Sequence, residues 1–332
     1  MLRTGKKFSK PSLSRVINGD VILSEKTQKQ PRIRLDHTLV KLYPEYNRNT
    51  LQSFIKLGYV LVDGKIATKP NMALSENTKI TLALPESLTS PEIKKQEAAK
   101  IKPETIYEDE NVIVFNKPAG LLSMAKGDYC LEPTLEDFGL LVHRLDRDTS
   151  GIVILAKNQK TQNLLRKQFQ DRKTHKTYYA IVEGRPKLDS AVINLPIARN
   201  LKHPTTFIVE AGGKEAETYY QVLKTQKFNH DKIQKIRNSF QKTSQYAGTE
   251  FKEGKTYSLI ELKPTTGRTH QLRVHLKYLG TPIVGDRVYG SAKPDSADRL
   301  YLHAKALEIT IPTSNRQIFE APLPPEFNIF EN

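Results

Sequence analysis

His143-Arg144-Leu145-Asp146-Arg147-Asp148-Thr149-Ser150-Gly151 lies between two apolar runs, Leu140-Leu141-Val142 before it and Ile152-Val153-Ile154-Leu155 after it. Short apolar runs on either side of a polar turn predict two buried strands. The turn itself is crowded with charge, and Asp146 stands between Arg144 and Arg147, so an ion pair with these neighbours is expected. A positioned carboxylate at a cleft can act as nucleophile or base. The same charges could equally make a structural salt-bridge turn, so the rest of the chain has to decide between the two.

The chain has 332 residues, enough for one large and one small domain. Hydrophobic residues make up 38% and charged residues 27%, which fits a globular chain with a buried core. Lys and Arg exceed Asp and Glu by 52 to 36, a formal charge of +16, which favours a polyanionic partner. Nucleic acid is the first choice and an anionic membrane surface the second. Cys130 is the only cysteine, so neither an intramolecular disulfide framework nor a cysteine-based zinc site is expected. No apolar run reaches the length of a membrane-spanning helix, and residues 1–11 are basic without the apolar stretch of a secretory signal. A cytoplasmic setting is the expectation.

Residues 1–31 read as a basic, polar tail. From residue 32 the pattern changes. Leu35, Leu39 and Leu42 recur at helical spacing, and Leu51, Phe54 and Ile55 predict a second helix, with Asn47 or Asn49 as cap and Gly58 as stop. Asp63-Gly64 then joins two short apolar runs as a hairpin. With Arg34, Arg48, Lys56 and Lys65 around it, this makes a basic helix-hairpin module over 32–84. The proline-punctuated, charged stretch 85–103 offers no core face and reads as a linker. A larger domain follows over 104–332. Its expected elements are a strand at 111–115 ended by Pro118 and Gly120, and a helix start at Thr134. An amphipathic helix is predicted over 158–173 with Leu164, Leu165 and Phe169 inward. A strand through Tyr178 and Tyr179 and further strands at 192–195, 207–209 and 217–222 are expected next. The polar stretch near 225–255 predicts a surface insertion, a hairpin or disordered excursion. A strand at 257–262 and a helix bearing Leu272, Leu276 and Leu279, stopped by Gly280, come after it, with a closing strand within 299–311. Many strands, few helices and little βαβ alternation predict an α+β fold with a mainly antiparallel mixed sheet.

The nine-residue string resembles the active-site motif of the RluA-type pseudouridine synthases, those of the RluC and RluD kind included. The resemblance extends, in family order, through Asn116-Lys117-Pro118-Ala119-Gly120, Lys176-Thr177-Tyr178-Tyr179-Ala180 and Arg268-Thr269-His270-Gln271-Leu272-Arg273, continued by Gly280 to Asp286. Residues 123–140 depart from the family, where a His-Pro pair is common. Residues 32–84 look like the alpha-L RNA-binding domain of ribosomal protein S-four, which points to Arg48, Lys56, Lys65 and Asn47 as RNA contacts.

The resemblance implies an isomerase that detaches uracil from ribose, turns it and rejoins it through a ring carbon, with no cofactor and no metal. Asp146 would be the catalytic carboxylate, Arg273 the cation that pairs with it, and Tyr178 the aromatic wall, with Leu272 beside it. Arg144 and Arg147 at the motif and Arg268 at the third one would bind substrate, Arg268 through phosphate. The target uridine would have to leave its stack. RNA is the implied partner, with large-subunit ribosomal RNA favoured and transfer RNA the alternative; a monomer is expected. A non-catalytic ribosome-assembly protein would also explain the charge, but not the joint presence of Asp146, Tyr178 and Arg273. A nucleoside glycosidase would share the bond chemistry and leave the basic composition unexplained.

Overall fold

Positive φ at both Asp63 (49°) and Gly64 (76°) in this computed structural model matches the two-residue turn read from the sequence. The structure describes residues 21–22, 33–75, 77–84, 103–124, 134–243, 250–293 and 298–330. Nearly all of the expected tail and linker, and Cys130, lie outside them; Val21–Ile22, within the expected tail, form a strand. The chain divides into two compact units.

In the first unit, β1 (Val21–Ile22) and β2 (Ile33–Arg34) precede α1 (Leu35–Leu42) and α2 (Arg48–Lys56). Then come β3 (Val60–Val62), β4 (Lys65–Ile66), β5 (Ala73–Leu74) and β6 (Lys79–Leu82). The Asn47 side chain accepts from the Thr50 N–H and caps α2 as expected. Leu35, Leu39, Leu51, Phe54 and Ile55 pack with Val60 and Ile80, so the helical spacing and the strand alternation converge on one core.

Arg48 also has a partner inside the unit. Asp36 is fully buried, and it accepts hydrogen bonds from Arg48 Nη2 (2.8 Å), Arg34 Nε (3.0 Å) and Gln52 Nε2 (2.8 Å). Two of Arg48's nitrogens are therefore engaged inside the unit. Burial alone would raise the Asp36 carboxyl, but Arg48, Arg34 and Gln52 hold it well below the usual carboxylate range. A depressed folded-state value stabilises above the unfolded value of about 3.9 and is lost as pH falls through the folded one. Asp36→Asn should therefore cost about 1–2 kcal/mol at neutral pH, discounted because both guanidinium groups stay half exposed. The penalty should shrink under acid. Local hydrogen exchange across residues 33–84 at two pH values reads both effects; equal protection in variant and wild type at pH 7 would refute it.

The second unit opens with β7 (Glu104–Glu108), β8 (Val112–Lys117), β9 (Leu140–Leu141) and β10 (Ser150–Ala156), followed by α3 (Gln159–Gln170) and β11 (His175–Glu183). Next are β12 (Ser190–Asn194), β13 (Ile197–Arg199), β14 (Phe207–Val209) and β15 (Glu217–Lys227). The remainder is α4 (His230–Thr243), β16 (Thr256–Pro264), α5 (Gln271–Tyr278), β17 (Leu302–Thr310) and β18 (Arg316–Glu320). One sheet runs β12-β15-β16-β11-β17-β10-β8-β7, with β18 on β17 and β9 on β10. Among the described strand pairs, only β10–β17 is parallel. The mixed, mainly antiparallel α+β reading holds.

Every residue of β10 is buried, because its two faces serve two cores. Ile152 and Ile154 pack with Leu165, Leu307 and Ile309, and Val153 and Leu155 with Phe115, Leu135 and Leu145. A strand covered on both sides reads as the continuous apolar run seen in the sequence. Where β10 begins, Gly151 has φ +110°, and a Cβ there would sit 2.2 Å from the Ala304 carbonyl oxygen. Gly151→Ala should therefore destabilise by several kcal/mol, on the order of a severe overpacking substitution, and yield little soluble protein. A thermal midpoint within 2 °C of wild type, roughly 1 kcal/mol or less, would contradict this.

Two expectations need correction. Leu164 is 43% exposed, and the inward face of α3 is Thr161, Gln162 and Leu165, with Phe169 half-buried. The supposed surface insertion contains α4, whose Ile233, Ile236 and Phe240 are buried together with Phe228 and Phe251. They pack against Phe327, Ile329 and Phe330 near the end of the described chain. Apolar residues at i, i+3 and i+7 among lysines and glutamines form a narrow stripe that mean polarity conceals.

Candidate active site

The loop between β9 and β10 is tied down from both flanks. Ser123 Oγ donates to the Leu145 carbonyl (2.8 Å) and accepts from the Leu145 N–H (3.1 Å). Lys117, fully buried at the end of β8, donates to the carbonyls of Arg147 (2.8 Å), Leu121 (2.9 Å) and Pro118 (3.0 Å). Burial pushes its ammonium down to about 7, partly opposed by Asp148 and Asp146. On the other flank, His143 Nε2 accepts from the Ile154 N–H, and its ring stacks on Phe169 at 4.6 Å. Burial, with the nearby Lys176 charge, drives this imidazole down to about 3, so it is a neutral structural group.

Asp146, at the centre, is half-buried, and the side chains nearest its carboxylate are not its sequence neighbours. Arg273 Nη1 lies 3.3 Å from Oδ2, and His270 Nε2 lies 3.9 Å from the same oxygen. Arg144 is exposed at the rim, with Nη1 against the Met124 sulfur. Arg147 Nε donates to the Gly120 carbonyl (3.0 Å), and its side chain is not among those lining the cleft. The expected flanking ion pairs are therefore replaced by partners more than a hundred residues away.

Arg273, on α5, is buried between two carboxylates. Nε and Nη2 make a bidentate pair with Asp286 at 2.7 and 2.8 Å, leaving Nη1 for Asp146. Asp286 also accepts the backbone N–H groups of Val288 and Tyr289 through Oδ1. Burial would lower Arg273, but Asp286 and then Asp146 raise it further, so the guanidinium is a permanent cation. The Tyr289 ring lies 5.0 Å from that guanidinium carbon.

The cleft above these groups has a volume of about 570 Å³. Tyr178 and Leu272 are both in its wall, as expected, with Leu302 beside them. Pairing of β11 with β17 slips between Thr177 and Tyr178, a bulge that re-aims the strand at the tyrosine. Burial and then the Asp146 charge push the Tyr178 phenol up, so it is neutral at physiological pH. Arg268 lines the cleft and donates from Nε to the Glu215 carbonyl. Five cations, Arg144, Arg172, Lys176, Arg268 and Arg273, face a single carboxylate, Asp146, among the described lining residues. A concave, strongly basic site with one aromatic wall suits a polyanion carrying a flat base.

Sequence comparison places this arrangement. A family model described as RNA pseudouridylate synthase matches residues 111–278, and an S4 domain model matches 33–80. The chain belongs to the RNA pseudouridylate synthase family. An uncharacterized RNA pseudouridine synthase of Aquifex aeolicus is 34% identical over 77% of this chain and 77% of its own length. Ribosomal large subunit pseudouridine synthase D of Nitrosomonas europaea is 33% identical over 88% of this chain and 81% of its own. Among solved structures, human RNA pseudouridylate synthase domain containing 1 aligns with a TM-score of 0.53 at 27% identity, covering 68% of this chain and 84% of that one. The chain is thus an RNA pseudouridine synthase, an isomerase with an RNA-binding S4 domain, and RNA is its partner.

Three residues of the synthase site carried no assigned role in the sequence reading: Asp286, His270 and Tyr289. Asp286 stood in the quoted Gly285-Asp286 pair, but Arg273 was matched to Asp146 alone. His270 stood in the quoted third motif with no role of its own; among the described residues no cluster of three or more His, Cys, Asp or Glu side chains could hold a metal. No helix of the described residues is long and apolar enough to cross a membrane.

Proposed function

We propose that Asp146 is the carboxylate that acts on the target nucleotide, with Arg273 as the cation that orients it and Tyr178 and Leu272 as the wall against which the detached uracil turns. The C1′–N1 bond breaks and a C1′–C5 bond forms; C5 loses its proton and N1 gains one, so nothing is oxidised and no co-reactant is needed. The single observation that carries this reading is the Asp286–Arg273–Asp146 chain at the floor of a basic cleft. It holds one carboxylate oxygen while the residue stays open to a ligand.

Arg144 and Arg268, at the rim, would meet the flanking phosphates. In the S4 domain the exposed Lys56 and Lys65 would do the same, and Arg48 acts through Asp36. We place the RNA-binding domain at 32–84, the linker at 85–103 and the catalytic domain at 104–332, acting as a cytoplasmic monomer. Large-subunit ribosomal RNA is the substrate we favour, because relatives covering most of this chain carry that name. The test is tritium release from RNA labelled at uracil carbon five, with ribosomal and transfer RNA offered separately. Release from ribosomal RNA is expected; release from transfer RNA alone would move the substrate, and bound RNA without release from either would overturn the catalytic reading.

A further inference from the structure

His270, like Arg172 in the same cleft lining, has an out-of-the-ordinary backbone. It precedes α5 with φ +57° and ψ +19°, the left-handed region, and it is not a glycine. Such a conformation costs on the order of 1–2 kcal/mol for a side-chain-bearing residue and persists where the surroundings hold it. They do so here through the imidazole. The ring is edge-on to Phe207 (5.6 Å) and to Tyr289 (5.5 Å), and Nδ1 lies 2.8 Å from the Tyr289 hydroxyl.

The Phe207 N–H donates to Tyr289 Oη at 2.9 Å and takes one of its two acceptor sites, which leaves the hydroxyl proton available for His270 Nδ1. With Nδ1 accepting that proton, the neutral ring carries its own on Nε2. That nitrogen is the one facing Asp146 Oδ2, at 3.9 Å. Burial holds His270 below its ordinary value, with Arg273 and Arg144 acting in the same direction and Asp146 and Asp286 against it. The distance is longer than a hydrogen bond, as catalytic contacts often are before substrate closes them.

Arg273 Nη1 and His270 Nε2 converge on the same oxygen. Among the described residues nothing donates to Oδ1. We infer that the Tyr289–His270 pair is a positioning dyad that aims an N–H at Oδ2 of Asp146, so that Oδ2 is the anchored oxygen and Oδ1 the one that meets the nucleotide. This rests on Asp146 being the catalytic carboxylate. Asp286 and Tyr289, three residues apart, thus each support one of the two groups that hold it.

The strained backbone limits the folding penalty of the test. His270→Gly removes the imidazole at a φ that glycine adopts freely, so relieved strain offsets part of the lost ring contacts and the thermal midpoint should stay within about 5 °C of wild type. On an RNA that the wild type converts, its kcat for tritium release should fall about 10- to 100-fold, the size of one charge-assisted hydrogen bond, with KM within about twofold. Tyr289→Phe keeps the ring beneath Arg273 and loses only the hydroxyl; its kcat should fall about 3- to 10-fold, the size of a neutral hydrogen bond. In a His270→Gly background the same change should add nothing, because the group it orients is gone. A His270→Gly enzyme within twofold of the wild-type kcat overturns the proposal. So does a Tyr289→Phe loss of equal factor in both backgrounds. Absence of turnover by the wild type would strike the underlying reading and this one with it, whereas an active wild type with an indifferent His270→Gly strikes this one alone.

Discussion

Asp146→Asn is expected to lower tritium release by at least about a thousandfold while leaving the Kd for RNA within about fivefold. The amide has nearly the shape of the carboxylate, so the loop held by Lys117 and Ser123 keeps its path. What goes is the charge that pairs with Arg273 Nη1 and that, in the proposed function, attacks or deprotonates the nucleotide. Binding survives because the lining cations, Arg144, Arg172, Lys176 and Arg268, are untouched, and removing the one carboxylate among the described lining residues makes the cleft more positive. Single-turnover tritium release beside filter binding measures both halves. A variant that keeps a tenth of the wild-type rate would rule out a nucleophilic or basic role.

Asp286→Ala should strongly destabilise the second unit. The carboxylate is almost wholly buried and satisfies two nitrogens of a buried guanidinium and two backbone N–H groups. Removing one partner of such a pair leaves the other charge uncompensated, at about 3–5 kcal/mol. For a unit of this size that corresponds to a thermal midpoint lower by roughly 6–20 °C. Activity should fall as well, since Arg273 would be free to turn wholly onto Asp146. Burial alone would raise the Asp286 carboxyl, but Arg273 and the Tyr289 and Val288 N–H groups outweigh it, so its folded value is depressed. Its stabilisation is therefore present above about pH 4, the unfolded carboxylate range, and fades as pH falls through the folded value. The gap between wild type and variant should be widest at neutral pH and narrow under acid. Circular dichroism melts at pH 7 and pH 4 read this; an unchanged midpoint at pH 7 would refute it.

What could be read from the sequence was local. Helical spacing placed α1 and α2, Asp63-Gly64 placed the hairpin, and the unbroken run after Gly151 announced a strand buried on both faces. Each signal is carried by residues within one or two turns of each other. The same dependence on local averages misled in α4, where Ile233, Ile236 and Phe240 are outnumbered by polar neighbours although their spacing is helical. Leu164 misled similarly, since one residue of phase separates it from the buried Leu165.

The sequence by itself determined the fold class, the S4 module and the identity of the nine-residue turn, because periodicity and contiguous motifs are properties of neighbouring residues. Beyond the Arg273–Asp146 pair, which the family resemblance implied, the tertiary structure decided which charges meet. Asp146 is flanked in sequence by Arg144 and Arg147, yet its loop turns those side chains to the rim and to Gly120, and a helix more than a hundred residues later brings Arg273 and His270 to Oδ2. Ion pairing depends on distances of a few ångströms, which only the packed sheet and helix determine.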